Sequence, residues 1–160
     1  MLSDRDNAVL HIRRGNVPAD SKTMISLQPV QTADIPQVCD ELGKQAEFKR
    51  AFPLINHSSF QSSVLSGYQI HVGSDVAGFL LKTNPTPPFS TYSDRESLLM
   101  IYPAYQRQGI GTLALELITQ TEEKVFFVSS KSNPASSAFF QKQHLLNLVT
   151  ENSRYKVYSS

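Results

Sequence analysis

The stretch Gln106-Arg107-Gln108-Gly109-Ile110-Gly111 decides the fold, because it joins an apolar segment to an amphipathic one. Residues 98–101 before it are continuously apolar, as in a strand covered on both faces. From Ile110 onward apolar residues recur at helical spacing, and residues 124–128 resume as a strand. This β-loop-α-β pattern places two glycines beside a positive helix N-terminus, which predicts a pyrophosphate site with Arg107 as a further contact.

Two other phosphate-binding patterns fail here. Residues 109–114 match the dinucleotide pattern G-x-G-x-x-A, but residues 103–108 separate the first glycine from the preceding strand segment. The acid expected about twenty residues further on is absent, since Ser129, Ser130 and Lys131 stand there. No Gly-Lys-Ser/Thr occurs in the sequence, which excludes the phosphate-binding loop of nucleoside triphosphatases.

Composition and charge describe one folded domain without a strong overall field. The chain has 160 residues, of which 40% are hydrophobic, including 9 Phe and 6 Tyr, as in a globular core. Its 15 Lys and Arg against 14 Asp and Glu leave a formal charge of +1, so nothing attracts nucleic acid or an anionic membrane nonspecifically. No apolar run approaches the ~20 residues of a membrane helix. We therefore expect neither partner.

Histidine and cysteine usage predicts neither a metal nor a disulfide. The four histidines are scattered without metal-ligand spacing. Cys39 is the one cysteine, so it has no intrachain partner, and we interpret it as a packing residue. The first residues include early acids and no apolar region, which argues against a secretory signal. A reducing, cytoplasmic location is expected.

Cys39 belongs to the apolar stripe of a predicted helix, formed by Ile35, Val38, Cys39, Leu42 and Ala46.

The remaining periodicity predicts a mixed α/β fold. Residues 83–94 hold three prolines and no period, as in a long loop that borders a site. The other predicted elements are a strand over 24–30, a short helix over 58–65 ended by Gly67, a hairpin over 68–82 and a closing hairpin over 146–158.

The first residues differ from the rest. Residues 1–22 are mixed in charge and are interpreted as an N-terminal appendage to a domain over 23–160. Their apolar stretch, residues 8–12, is long enough to add as an edge strand. It would join this chain's own sheet or that of a second copy, and the latter would make a homodimer.

Two motifs resemble the GNAT (N-acetyltransferase) superfamily. Residues 106–111 match the R/Q-x-x-G-x-G/A signature of that family, and Ile101-Tyr102-Pro103 before them is similar to its V-x-P ending. Residues 133–145 read Asn-Pro-Ala-Ser-Ser-Ala-Phe-Phe-Gln-Lys-Gln-His-Leu and are similar to N-x-x-A-x-x-F-Y-x-x-x-G-F. A predicted strand separates the two motifs, and the resemblance covers about residues 96–145.

The resemblance implies a mixed, mostly antiparallel sheet with central parallel strands around the β-loop-α-β unit and helices on both faces. It implies that the glycine loop binds the pyrophosphate of acetyl-coenzyme A as co-substrate. The pantetheine would lie beside the strand that ends at Ile101 and pair with its backbone. The implied cofactor-binding residues are Met100, Ile101, Gln106, Arg107, Gln108, Gly109, Ile110, Gly111, Thr112, Asn133, Phe139 and Phe140.

The implied reaction is acetyl transfer to a primary amine of a small molecule or peptide by direct attack on the thioester. An ammonium must lose a proton first, and Glu96 at the start of the central strand is the nearest candidate base. A solvated charge is the alternative for Glu96, which strand alternation puts in phase with Met100. Tyr102 is the second candidate, through its hydroxyl. Phe140 stands where many members have the tyrosine that protonates the thiolate.

That departure leaves a second function open. A chain without the usual acid would also fit a coenzyme A-binding interaction or regulatory module that lacks catalysis. The sequence does not identify the acceptor, whose site residues 48–57 and 83–94 are predicted to line.

Overall fold

The computed structural model of the protein describes residues 10–13, 24–51, 57–86, 89, 95–121 and 124–160. Its strands are β1 (Leu10–Arg13), β2 (Met24–Pro29), β3 (Val64–Val72), β4 (Asp75–Thr83), β5 (Glu96–Ile101), β6 (Phe126–Ser130), β7 (Asn147–Glu151) and β8 (Tyr155–Ser159). Its helices are α1 (Ile35–Gly43), α2 (Ala46–Ala51), α3 (His57–Ser63), α4 (Ile110–Thr121) and α5 (Pro134–Gln141).

Within the described residues, all eight strands form one sheet in the order β1-β2-β3-β4-β5-β6-β8-β7. Only the pairing of β5 with β6 is parallel, and the other neighbours are antiparallel. Parallel neighbours need a crossover, and α4 supplies it between the end of β5 and the start of β6. The predicted mixed, mostly antiparallel sheet with a central parallel pair is confirmed.

The sheet buries an apolar core on each face. We call the face under α4 and α5 the first face, and the face under α1, α2 and α3 the second face. Leu99 and Ile101 of β5 pack toward the first face, whereas Leu98 and Met100 pack toward the second. The predictions of helices on both faces and of a strand covered on both sides are therefore confirmed.

Helix α1 buries most of its predicted stripe. Cys39 is fully buried within it, and burial raises the pKa of its thiol, in keeping with a packing residue. The prediction is wrong at Ala46, because α1 ends at Gly43 and Ala46 is the exposed first residue of α2. The buried stripe consists of Ile35, Val38, Cys39 and Leu42.

The prediction of a helix over residues 58–65 is wrong at the C-terminal end of the helix. Helix α3 stops at Ser63, and Val64 pairs with Thr83 as the first residue of β3. Pairing with β4 satisfies the backbone there and favours the β-branched Val64 in a strand. Gly67 lies inside β3 rather than at a helix end, and a Cβ on it would lie 2.6 Å from Leu81 Cδ2. This glycine permits close strand packing.

The N-terminal strand joins this chain's own sheet. Leu10 pairs with Leu27 and Arg13 pairs with Met24, so β1 is an edge strand next to β2. The docking predicted for residues 8–12 is confirmed over Leu10–Arg13, and Ala8 and Val9 lie outside the described residues. The division into an appendage and a domain after residue 22 stays a prediction.

The described residues lack the features of a membrane span and of a metal centre. None of their helices is both long and apolar enough to pass through a bilayer. Nor do those residues bring three His, Cys, Asp or Glu side chains together around a point where a metal ion would fit.

Candidate active site

The loop after β5 is held in shape by two of its own glutamines. Pro103–Tyr105 forms a short 3-10 turn. Gln106 Nε2 donates to the carbonyl oxygen of Ile101 at 2.9 Å, and Gln108 Nε2 donates to that of Ala104 at 3.1 Å. The side chains of these two predicted cofactor residues therefore fix the loop to the strand end and the turn. Their backbone groups are what they would offer to a phosphate.

The start of α4 has the features of an anion site. Its first helical hydrogen bond runs from Leu113 N to the carbonyl oxygen of Gly109 at 3.1 Å. The backbone N–H groups of residues 110–112 precede that bond and have no acceptor within the helix. Arg107 and Gly109 have φ values of 63° and 77°, so the chain takes two left-handed steps just before the helix. In the sequence, Arg107 comes shortly before the residues that carry these N–H groups.

The two glycines of the loop have different structural roles. A Cβ on Gly109 would meet nothing within 4 Å, but its φ of 77° is one that L side chains rarely adopt. A Cβ on Gly111 would lie 3.0 Å from two ring atoms of Phe139. Gly111 therefore makes room for α5, and Gly109 makes the turn.

Strands β5 and β6 separate soon after they meet. Their one register pair is Ser97 with Phe127, although both strands continue in the same direction to Ile101 and Ser130. The other edge of β5 is fully paired with β4. Gly78 of β4 comes so close to this strand that a Cβ on it would collide with the Met100 carbonyl oxygen. Among the described residues, the β6-facing edge of β5 has no further strand partner beyond Ser97, and the Ile101 carbonyl oxygen on it accepts from Gln106 Nε2.

Helix α5 closes the first face beside this opening. The Asn133 side chain accepts a hydrogen bond from Ser136 N at 3.4 Å, so Asn133 caps the start of α5. Phe140 is buried, with its ring centroid 4.7 Å from that of Phe127 and 5.3 Å from that of Phe139. In the second motif, Phe140 therefore packs against β6, and Phe139 packs against the start of α4.

A tyrosine that the sequence analysis did not single out lies next to Phe140. The rings of Phe140 and Tyr158 are 5.6 Å apart, and the Tyr158 hydroxyl donates to the carbonyl oxygen of Ser137 at 3.5 Å. Burial, with a smaller effect from Glu151, raises the pKa of Tyr158. Its hydroxyl is thus engaged by α5. Alternation in β8 places it on the first face, but only the pairing of Tyr158 with Phe127 brings it to Phe140.

Glu96 lies at the opposite end of β5 from the loop. Its side chain is on the second face with Leu98 and Met100, since the β4–β5 register is continuous. The carboxylate is buried and its Oε1 accepts a hydrogen bond from Thr86 N at 2.8 Å. Burial raises the pKa of Glu96 above its ordinary value, and the bonds from Thr86 oppose this in part. The solvated alternative for Glu96 does not fit a carboxylate this buried.

Tyr102 also faces the second side of the sheet. Its ring packs edge-on against Phe79 at a centroid distance of 5.9 Å, and Tyr102 N donates to the carbonyl oxygen of Ala77 at 2.8 Å. Burial and the carboxylate of Glu41 raise its pKa to about 12. The hydroxyl therefore stays protonated at neutral pH, where it can donate a hydrogen bond but cannot act as a base.

The structure thus divides the predicted site residues into two groups. The glycine loop, Ile101 and Phe139 come together on the first face around the start of α4. Glu96 and Tyr102 lie across the sheet from them. Of the segments predicted to line an acceptor site, residues 52–56, 87–88 and 90–94 lie outside the described residues.

Comparison with known proteins identifies the fold. No family model and no curated protein matches the sequence. The structure is similar to an acetyltransferase from Thermus thermophilus, with TM-score 0.62, 19% identity, and 85% of this chain and 96% of that chain covered. It is similar to the ribosomal-protein-S18-alanine N-acetyltransferase from Escherichia coli, with TM-score 0.55, 19% identity, and coverage of 85% and 92%.

A third similar structure contains a coenzyme A derivative. Mycobacterium smegmatis RimJ in complex with CoA-disulfide matches with TM-score 0.61 and 13% identity over 98% of this chain and 88% of that chain. All three neighbours are under 20% identical to this chain, so they show that it shares their fold, which is the fold that the two motifs predict.

Proposed function

We propose that the protein is an N-acetyltransferase that moves the acetyl group of acetyl-coenzyme A to a primary amine. One observation carries the proposal: the opening between β5 and β6 lies at the end of β5 that leads directly into the N–H groups at the start of α4. A ligand with a pyrophosphate at one end and an amide-bearing arm fits both features at once.

The described residues fit that co-substrate. The N–H groups of residues 110–112 and the guanidinium of Arg107 would hold the pyrophosphate. The β6-facing backbone of Ile101 would bond to an amide of the pantetheine arm, as an added strand does, whereas the Met100 backbone faces β4. Asn133, Phe139 and Phe140 would border the arm from α5. Acetyl-coenzyme A supplies an activated acetyl thioester.

In the proposed step the amine nitrogen forms a bond to the thioester carbonyl carbon and the carbon–sulfur bond breaks. Glu96, directly or through one water, takes the proton that the nitrogen loses. A buried carboxylate with a raised pKa suits that task, because its conjugate acid is closer in strength to the ammonium. Phe140 has no hydroxyl, so the leaving thiolate would take its proton from water. Tyr102 would orient the acceptor as a hydrogen-bond donor.

A second candidate function is a coenzyme A-binding module without catalysis. The observation that favours it is the aromatic cluster of Phe127, Phe139, Phe140 and Tyr158, which puts rings where a family acid would stand. Both functions predict that the protein binds coenzyme A. Only the acetyltransferase predicts turnover of acetyl-coenzyme A.

The test measures binding and turnover separately. Calorimetric titration with coenzyme A should give binding that falls about tenfold in Arg107→Ala, the loss expected for one charge-assisted contact. Arg154→Ala is the matched control, because Arg154 is an exposed arginine at the β7–β8 turn. Thiol release from acetyl-coenzyme A across a panel of amines then decides the class. If coenzyme A binds but no amine supports thiol release, the result favours the coenzyme A-binding module without catalysis.

Cytoplasmic location and the absence of nucleic acid or membrane partners stay predictions. The single cysteine and the near-neutral charge support them.

A further inference from the structure

A cavity of about 450 Å³ lies between α5 and the strands beneath it. That volume is within the range of small-molecule sites in proteins. Four of its lining residues recur at helical spacing along α5, and Phe139, which contacts the start of α4, points to the other side of the helix. Helix α5 therefore separates the cavity from the glycine loop. The cavity is lined by Lys131, Pro134, Ser137, Ala138, Gln141 and Lys156.

Lys156 reaches the cavity from β8. It is two residues from Tyr158 of the first-face core, so strand alternation puts it on the same face, beneath α5. Its register partners are Ser129 of β6 and Glu151 of β7. Among the described residues, however, no carboxylate lies within ion-pair distance of the Lys156 ammonium. Lys156 is therefore a half-buried cation that faces a cavity without a counter-ion of its own.

Lys131 is fixed beside the cavity at both ends of the residue. Its backbone N–H donates to the carbonyl oxygen of Arg154 at 2.8 Å, and its Nζ lies 2.8 Å from Oε2 of Glu151. Glu151 itself does not line the cavity. One carboxylate thus stands beside two ammonium groups, which leaves a charge of +1 at this end of the cavity. A ligand with one negative charge would balance it.

The rest of the lining is mostly apolar or already bonded. Pro134 and Ala138 present apolar surface along the helix. The Ser137 hydroxyl is hydrogen-bonded to the Ser129 hydroxyl at 3.0 Å. Gln141 lies seven residues after Pro134, about 10 Å along the helix axis, and its side chain has no hydrogen-bond partner among the described residues. The cavity therefore offers cations at one end, an apolar middle and one amide at the other end.

We infer that this cavity binds a monoanionic carboxylate with an apolar body. The carboxylate lies between Lys131 and Lys156, and the body lies against Pro134 and Ala138. The inference does not depend on the proposed acetyltransferase function, because α5 stands between the two sites. A free carboxylic acid and the C-terminal carboxylate of a peptide share this chemistry. An amine does not, because the two ammonium groups would repel it.

Titration with hexanoate, followed through the amide NMR signals of the protein, tests the class of ligand. We expect saturable shifts of residues 137–141 and of Lys131 and Lys156. Hexanamide has the same body without the charge, and acetate has the charge without most of the body. Each should bind at least tenfold more weakly than hexanoate. Hexanoate affinity should not change in saturating coenzyme A. Displacement of hexanoate by coenzyme A would place it at the glycine loop and overturn the inference.

Matched lysine variants test the cationic end. Lys156→Gln should weaken hexanoate binding about tenfold, the loss expected for one charge-assisted contact, and Lys156→Arg should keep most of the affinity. Lys131→Gln should also weaken it about tenfold or more, because it leaves Glu151 without its cation. Lys142→Gln is the control, since Lys142 is exposed at the end of the same helix and does not line the cavity. Thermal unfolding checks that each variant is folded. Unchanged affinity in both Lys131→Gln and Lys156→Gln, or an equal loss in Lys142→Gln, would overturn the inference.

Acetyl-alanyl-leucine separates the two sources of the carboxylate. A site for a peptide terminus should bind it more tightly than hexanoate, because a peptide carbonyl oxygen can accept from the Gln141 amide. Gln141→Leu should then remove that gain and leave hexanoate binding unchanged. A site for a free acid should prefer hexanoate. If neither acid gives saturable shifts at the cavity, the inference fails, and the acetyltransferase proposal is unaffected.

Discussion

Gly111 at the start of α4 faces the ring of Phe139 in α5 so closely that a Cβ atom would lie 3.0 Å from two of its ring atoms. The two sequence motifs that resemble the family are therefore parts of one packed unit. A side chain at position 111 would therefore require the Phe139 ring to move.

This contact predicts a rescue. Gly111→Ala should weaken coenzyme A binding and lower the melting temperature, because the new methyl group displaces Phe139. The double variant Gly111→Ala/Phe139→Leu should recover part of both losses, since leucine can move aside more easily than a ring. Calorimetric titration and thermal unfolding measure the two effects. Equal losses in the single and double variants would show that the ring is not the cause.

Gly109→Ala is the contrasting variant. Its methyl group would meet no neighbour, but its φ of 77° should cost about 1–2 kcal/mol in an L residue. Adding Phe139→Leu should give no recovery there.

If Glu96 is the base, its removal changes the pH dependence of the reaction. In the native protein, acetyl transfer should then fall as pH drops through the raised pKa of Glu96, because the protonated carboxyl cannot accept a proton. Glu96→Gln should lower kcat by about 100-fold or more and remove that acidic limb. Gln keeps an oxygen that accepts the Thr86 N–H bond, so the loop contact remains. A pH–rate profile with its acidic limb intact would assign the base elsewhere.

The pH dependence of folding stability that is linked to Glu96 should have the opposite sign from that of most carboxylates. Folding raises the pKa of Glu96, so the folded state binds its proton more tightly than the unfolded state. The stability linked to Glu96 is therefore lost as pH rises from its unfolded pKa through its folded one. Glu96→Gln should melt at a higher temperature than the native protein at pH 7. The gain should disappear below about pH 4, where Glu96 becomes protonated in both states.

The parts of the site that the sequence predicts are those built by local chemistry. Glycines at 109 and 111 and the Asn133-Pro134 start of α5 act within one turn of chain. Strand alternation likewise puts Glu96 in phase with Met100 before any fold is known. These features need only the neighbours along the chain.

The parts that the sequence does not predict are contacts between distant segments. The burial of Glu96 depends on Thr86, and the hydroxyl beside Phe140 belongs to Tyr158 of another strand. The end of α3 is the same kind of case, because Val64 becomes a strand residue through its pairing with Thr83. Periodicity cannot show which strand will offer a partner.

The thiolate is expected to be protonated without a protein tyrosine. Phe140→Leu should lower stability by about 1–2 kcal/mol through lost packing, and change kcat by less than about tenfold. Tyr158→Phe is the matched variant, since Tyr158 carries the hydroxyl beside Phe140 and that hydroxyl is bonded to Ser137. It should leave kcat unchanged. A loss of about 100-fold in Tyr158→Phe would identify Tyr158 as the acid and refute this prediction.

Strand β1 should stabilise the fold within one chain. A chain that starts at Met24 lacks β1, which leaves the edge of β2 unpaired and removes the cover that β1 gives α4. We expect its melting temperature to fall by about 3–8 °C, the shift for a loss of roughly 1–2 kcal/mol in a domain of this size. Ile12→Pro in the full chain should reproduce part of the fall, because proline removes a donor from the strand. Light scattering should give the mass of one chain for both lengths. A full-length mass twice that expected, halved by the truncation, would instead mean that β1 links two copies.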